Sequence, residues 1–277
     1  MALLSCAGYN KRMTDSSPHD FENIVQELTG CERNRTWSIL VTIFGDLAQK
    51  SGDEISGSLL SSLTQPIGIK PQAMRVALHR LRRDGWIVTK KSGRTSKHCL
   101  SKFGLNQSVV ASPHIYAKTI NPPDKWHILI ANPQAKIDEK SLISSGYYSI
   151  FSGAYIAAGE APINSEGFLA LTGNLSSIPK WLQDSMLTTP VIDDHSRLEK
   201  NLKVVERALR SGYNPTITET AVLRILIVHG WRRIVLRQPD MSLELFPQSP
   251  LAECRANVWK LLERLERPTL AALESAT

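Results

Sequence analysis

Residues 69–102, IKPQAMRVALHRLRRDGWIVTKKSGRTSKHCLSK, hold ten Lys and Arg against a single acid, Asp84. That is a formal +9 inside a chain whose total is +7. The remainder of the chain is therefore slightly acidic, and charge this local makes a binding surface for a polyanion rather than a device for solubility. The bland alternative is a solvated charged face, but the residues beneath the charge are also ordered. Met74, Ala77, Leu78 and Leu81 recur at i, i+3, i+4 and i+7, one apolar stripe of a helix. Pro71 suits its first position, having no N–H to lose. Gln72, Arg75, Val76, His79 and Arg83 point away from the stripe, with Arg80 and Arg82 flanking. Asp84-Gly85 ends the helix.

After this helix, 86–89 reads as a strand and 96–100 as its return. Lys90, Lys91, Gly93 and Arg94 form the tip between them, with Lys97 on the return. A basic helix running into a basic hairpin is the recognition helix and wing of a winged helix-turn-helix. Arg and Gln on such a helix pair bidentately with guanine and adenine edges in the major groove. Wing lysines and arginines meet phosphates, which adds affinity without sequence information. The expected DNA-contacting set is Gln72, Arg75, Val76, His79, Arg80, Arg83, Lys90, Lys91, Arg94 and Lys97.

The elements that must position these residues follow in chain order. Residues 1–19 are patternless and expected to be disordered. Phe21, Ile24, Val25 and Leu28 suggest a short amphipathic helix. Ile39, Leu40, Ile43, Phe44 and Leu47 give a second helix, and Ile55, Leu59, Leu60 and Leu63 a third. Residues 20–104 are thus the expected DNA-binding domain, and 104–123, with Pro113, Pro122 and Pro123, a flexible linker. A β-α-β-β-loop-β-α order over 124–190 suits a small ferredoxin-like, split-βαβ sheet. Its strands are expected at 126–131, 148–151, 154–157 and 168–171. Residues 191–270 read as helical. Thr216 and Glu219 fit a capping box that opens a helix over 217–237, apolar nearly all round and so buried in its domain or in a dimer interface. The fold class is multidomain α+β, and 277 residues are ample for two or three such units.

Other chemistry is thin. The chain has no apolar run long enough for a transmembrane helix. Its four cysteines are too scattered for a metal quartet or disulfide framework and suit a reducing cytoplasm. No histidine pair has metal-ligand spacing, so neither metal nor cofactor is expected. No GxSxG elbow or phosphate loop occurs. Arg224, His229, Arg232 and Arg233 allow two readings. Arg232 and Arg233 are a pair that bonds helix-end carbonyls or acids from a neighbouring helix, or all four line a pocket for an anion, since guanidinium forks match phosphates.

The segments SILVTIFGD, IGIKPQAMRVALHRLRRDGW and KKSGRTSKHCLS resemble the PaaX-like repressors of phenylacetate degradation. WHILIANP, SGYYSIFSGAYIA and LRILIVHGWRRIVLRQPDMSLELFP extend the resemblance over about 33–265. It implies a winged helix, a ferredoxin-like middle and a helical C-terminal domain for effector binding and dimerisation. It also implies a homodimer on double-stranded operator DNA, released by an aryl-CoA thioester, with no enzymatic activity and no membrane. The chain departs from the family at Lys70, where a polar cap is usual, and at Asn132, where the first middle strand tends to end in Asp. The alternative function is an enzyme acting on a CoA ester or nucleic acid, its winged helix serving partner binding.

Overall fold

The structure is a computed structural model that describes residues 21–29, 36–93, 95–118, 124–162, 167–186, 189–236 and 251–277. The expected disorder of 1–19 and the wing residue Arg94 lie outside the described residues, as does residue 237, the expected end of a helix that stops at Val235. The architecture is α+β, with helices and two small antiparallel sheets.

Helix α1 (Phe21–Thr29) precedes α2 (Thr36–Leu47), whose sequence TWSILVTIFGDL is apolar on nearly every side. Such a helix has to be covered all round, and α2 is, by α4 (Pro71–Arg83) and α9 (Ile217–Val235). Between α2 and α4 lie the short strand β1 (Ile55–Ser56) and α3 (Gly57–Thr64), capped by Ser56 Oγ accepting from Leu59 N. After α4 come β2 (Ile87–Ser92) and β3 (Thr95–Leu100), both slightly longer than the alternation implies. The sheet order is β1-β3-β2, so β1 closes the far side of the hairpin.

The expected linker is mostly helix. Residues Lys102–Tyr116 form α5, capped by Ser101 Oγ at Gly104 N. Gly104 is needed there, because a Cβ would sit 2.2 Å from the Trp86 carbonyl oxygen. Pro113 lies in the last turn, so the helix ends soon after it at Tyr116. Trp231 of α9 donates its indole N–H to the Ile115 carbonyl at 2.8 Å, pinning the C-terminal end of α5.

The second sheet contains β4 (Trp126–Ala131), β5 (Tyr148–Phe151), β6 (Ala154–Ala158) and β7 (Phe168–Gly173), in the order β5-β6-β4-β7. Helix α6 (Glu139–Ser144) joins β4 to β5, and α7 (Lys180–Met186) follows β7. Trp126, Ile156, Ile178 and Leu182 make its core, whereas Trp181 is exposed. Helices α8 (Thr189–Arg210), α9, α10 (Leu251–Arg264) and α11 (Leu270–Ser275) complete the chain. Both halves of the predicted capping box at the start of α9 are made: Glu219 N donates to Thr216 Oγ1, and Thr216 N to Glu219 Oε2.

One hydrophobic core unites α1 to α5 with α8 to α11. At its centre is Asp46, whose side chain is fully buried. It accepts from Arg224 Nε at 2.7 Å, from Tyr116 Oη at 2.7 Å and from Arg267 at 3.3 Å. A buried carboxylate persists only when its oxygens are paired in this way. The basic helix therefore sits on a block that includes α5 and the C-terminal helices, not on a loosely tethered domain.

Candidate nucleic-acid interface

Three inward side chains hold α4: Met74, Ala77 and Leu81 are buried. Lys70 precedes Pro71 in extended backbone and makes no capping bond, because an ammonium cannot accept from an N–H. At the other end Gly85 takes φ +76°, with Trp86 N bonded to Leu81 O and Gly85 N to Arg82 O. This is the paired C-terminal closure that a left-handed glycine permits. It turns the chain directly into β2 and fixes the hairpin beside the helix.

On the outer side of α4, Gln72, Arg75, Val76, His79, Arg80 and Arg83 are all exposed. They divide into two sets. Arg80 is braced, its Nε 3.4 Å from Asp84 Oδ2 and its guanidinium 5.5 Å from the Trp37 ring centre. Arg83 contacts Asp84 Oδ1 at 3.2 Å. Gln72, Arg75 and His79 make no side-chain hydrogen bond or ion pair among the described residues. Val76, 62% exposed, stands among them as an apolar side chain on a basic face.

The hairpin divides in the same way. Lys90 lies directly across from Lys97, a repulsive pairing when left alone. Glu54, delivered by β1, resolves it: its carboxylate is 2.6 Å from Lys90 Nζ and 3.7 Å from Lys97 Nζ. The Lys90 hydrogen bond holds the Glu54 carboxyl below its usual value. Lys91, at the tip, is exposed and has no ion pair among the described residues. Behind the hairpin His98 is buried, bonded to Thr89 Oγ1 at 3.0 Å, and burial, then Arg82, lowers its pKa. It is a neutral packing residue.

A model of the PaaX-like protein family matches residues 35–104, the span from α2 through the hairpin. Over those residues the chain is similar to the PaaX-like family. Transcriptional repressor PaaX of Escherichia coli is 25% identical over 232 residues, covering 76% of this chain and 73% of that protein. The likeness thus runs well beyond the matched domain, and this curated relative is a transcriptional repressor. In fold the chain is similar to an uncharacterized protein from Mycobacterium tuberculosis, with 16% identity and a TM-score of 0.50. That likeness covers 86% of this chain and 97% of the other.

The four residues considered for an anionic effector are not gathered into one site. Arg224 is buried, with Nε and both terminal nitrogens directed to Asp46 and to the Leu262 and Leu265 carbonyls. Four of its five N–H donors are thus committed to the core. His229 is also buried, its Nδ1 3.1 Å from Thr42 Oγ1. Burial, then Arg232 and Arg233, holds its pKa down to about 3, so it is neutral at pH 7. Arg232 and Arg233 are half-buried and line different recesses. Arg232 faces α2 and α5, and Arg233 lies beside Asp194, Arg197 and Asn201 of α8.

Sequence reasoning missed Glu54, Trp37 and Asp46. Only Asp46 carried a readable signal: a lone acid in the apolar run ILVTIFGDLA needs a buried cation, and Arg224 within apolar α9 is the matching exception. Among the described residues no three His, Cys, Asp or Glu are grouped to hold a metal. None of the described helices is long and apolar enough to cross a membrane.

Proposed function

We propose that the chain is a cytoplasmic DNA-binding transcriptional repressor. In this reading the segment 20–104 is a winged helix-turn-helix, α4 being the recognition helix and β2-β3 the wing. The segment 124–190 is a ferredoxin-like unit, and 191–270 a helical unit for effector binding and dimerisation. The observation that carries the reading is the pairing pattern on the basic face. Its central residues, Gln72, Arg75 and His79, are exposed and unengaged, while the flanking Arg80, Arg83, Lys90 and Lys97 are steadied by acids of the chain itself. Unengaged donors at the centre suit base edges, and braced cations at the margins suit phosphates. The likeness to a named repressor supports the same conclusion.

A homodimer would place two copies of α4 about 34 Å apart, one turn of duplex, on a palindromic operator. We assign the regulated genes to an aromatic-acid, phenylacetate-type catabolic operon and the release signal to an acyl-CoA thioester. Of the residues first considered for that effector, Arg232 retains donors suited to an anion and Arg233 lines a recess half-exposed, while Arg224 and His229 serve the core. The test is a footprint on the DNA upstream of the chain's own gene, with and without acyl-CoA thioesters. A protected palindrome that is lost on adding thioester supports the full reading. Protection that no thioester relieves removes the effector assignment. No protection at any concentration overturns the repressor reading itself.

A further inference from the structure

Between α2, α5 and α9 lies a cavity of about 180 Å3. Val41, Trp86, Ala111, Ile115 and Val228 supply apolar walls, and Arg232 supplies a cationic corner. One terminal nitrogen of Arg232 donates to Thr42 Oγ1 at 3.0 Å and to Ser38 O at 3.4 Å. Its Nε and other terminal nitrogen make no hydrogen bond among the described residues, and no carboxylate pairs with it there. Arg224, two turns earlier on the same helix, has the Asp46 carboxylate instead. Desolvation lowers the Arg232 pKa, as expected for a guanidinium drawn from water without a counter-ion.

A planar fork of free N–H donors matches the two oxygens of a carboxylate. The volume is slightly above the roughly 150 Å3 of an apolar cavity that admits benzene. We propose that this cavity binds a small carboxylic acid with an apolar body the size of one ring, its carboxylate on Arg232 and its ring against Trp86 and Val228. The exposed Gln107 and Leu236 mark the rim where it enters. Trp86 directly follows the turn that ends α4, and α2 packs against α4. Occupancy therefore bears on the posture of the basic helix, a consequence that rests on the repressor reading; the binding itself does not.

The probe is benzoate added to the full chain, followed by calorimetry and thermal unfolding, with benzamide as its neutral counterpart. Benzoate should bind and raise Tm, and benzamide should bind about tenfold more weakly or worse, since it lacks the charge-assisted bond. Gly45→Leu fills the cavity from α2, where an added Cβ meets nothing within 4 Å. This variant should keep its fold and lose the benzoate response, and Arg232→Gln should lose it as well. If neither benzoate, phenylacetate nor isovalerate binds, the proposal is overturned. It is overturned equally by benzamide matching benzoate, or by Gly45→Leu binding benzoate like the parent. Operator binding is measured on the same samples. A chain that holds DNA but no acid leaves the repressor reading standing, and a chain that holds acid but no DNA does the reverse.

Discussion

Charge on the basic face differs in kind from residue to residue, and this division was only half legible in the sequence. Spacing alone places Gln72, Arg75 and His79 outward, because the apolar stripe leaves them nowhere else. It does not show that Glu54 would reach Lys90 and Lys97, since that contact depends on β1 pairing with β3 across forty intervening residues. Arg75→Ala should weaken operator binding by about 1–3 kcal/mol, with little change on random DNA, by electrophoretic mobility shift. Equal weakening on both DNAs would remove Arg75 from base reading. His229 makes a different prediction, in stability. Its folded-state value near 3 lies below that of an unfolded histidine, so the unfolded chain takes up the proton first. The stability it confers is present above about pH 6.5 and is lost as pH falls toward 3, by about 1.4 kcal/mol per unit. Between pH 7 and pH 5 the urea midpoint of the parent should fall more than that of His229→Gln, by the equivalent of about 2 kcal/mol.

At the level of elements, the helices with strong periodicity or caps are readable: α2, α4 and the start of α9 lie where their patterns put them. Helix α5 is not. Its sequence KFGLNQSVVASPHIY mixes Gly, Asn, Ser and Pro, and its exposed Phe103, Val109 and Val110 break any amphipathic pattern. It is helical because tertiary contacts hold it: Ser101 caps it, Trp231 pins it, and Tyr116 reaches Asp46. Asp46 is thus the junction where α2, α5, α9 and the residue Arg267 meet. Asp46→Ala strands the Arg224 guanidinium in the core and should cost roughly 3–5 kcal/mol in chemical denaturation. Replacing both partners, Asp46→Leu with Arg224→Met, should recover much of that loss, since a stranded charge rather than a missing attraction causes it. A double variant no more stable than Asp46→Ala would show that the ion pair itself, not the stranded charge, sets the cost.

Across the whole molecule, the α+β class and the positions of the middle strands along the chain follow from local patterns, whereas the shared core of the N- and C-terminal helices does not. Nothing in α2 or α9 names its partner; both are merely apolar all round, and only the lone Asp46 and Arg224 hint that they meet. The result is a basic face carried by a block that also contains the cavity and Arg232, so events at α9 are one packed layer from α4. All of this depends on the basic face engaging nucleic acid. The most direct measurement is the operator affinity, by fluorescence anisotropy, as a function of salt concentration for the parent and Lys91→Ala. A dimer neutralising on the order of 6–10 phosphates should give log K against log salt a slope of about −5 to −9. Lys91→Ala, which removes one phosphate contact from each subunit, should make that slope shallower by about 2. A flat salt dependence, or a slope that Lys91→Ala leaves unchanged, would contradict the assignment of this face to DNA.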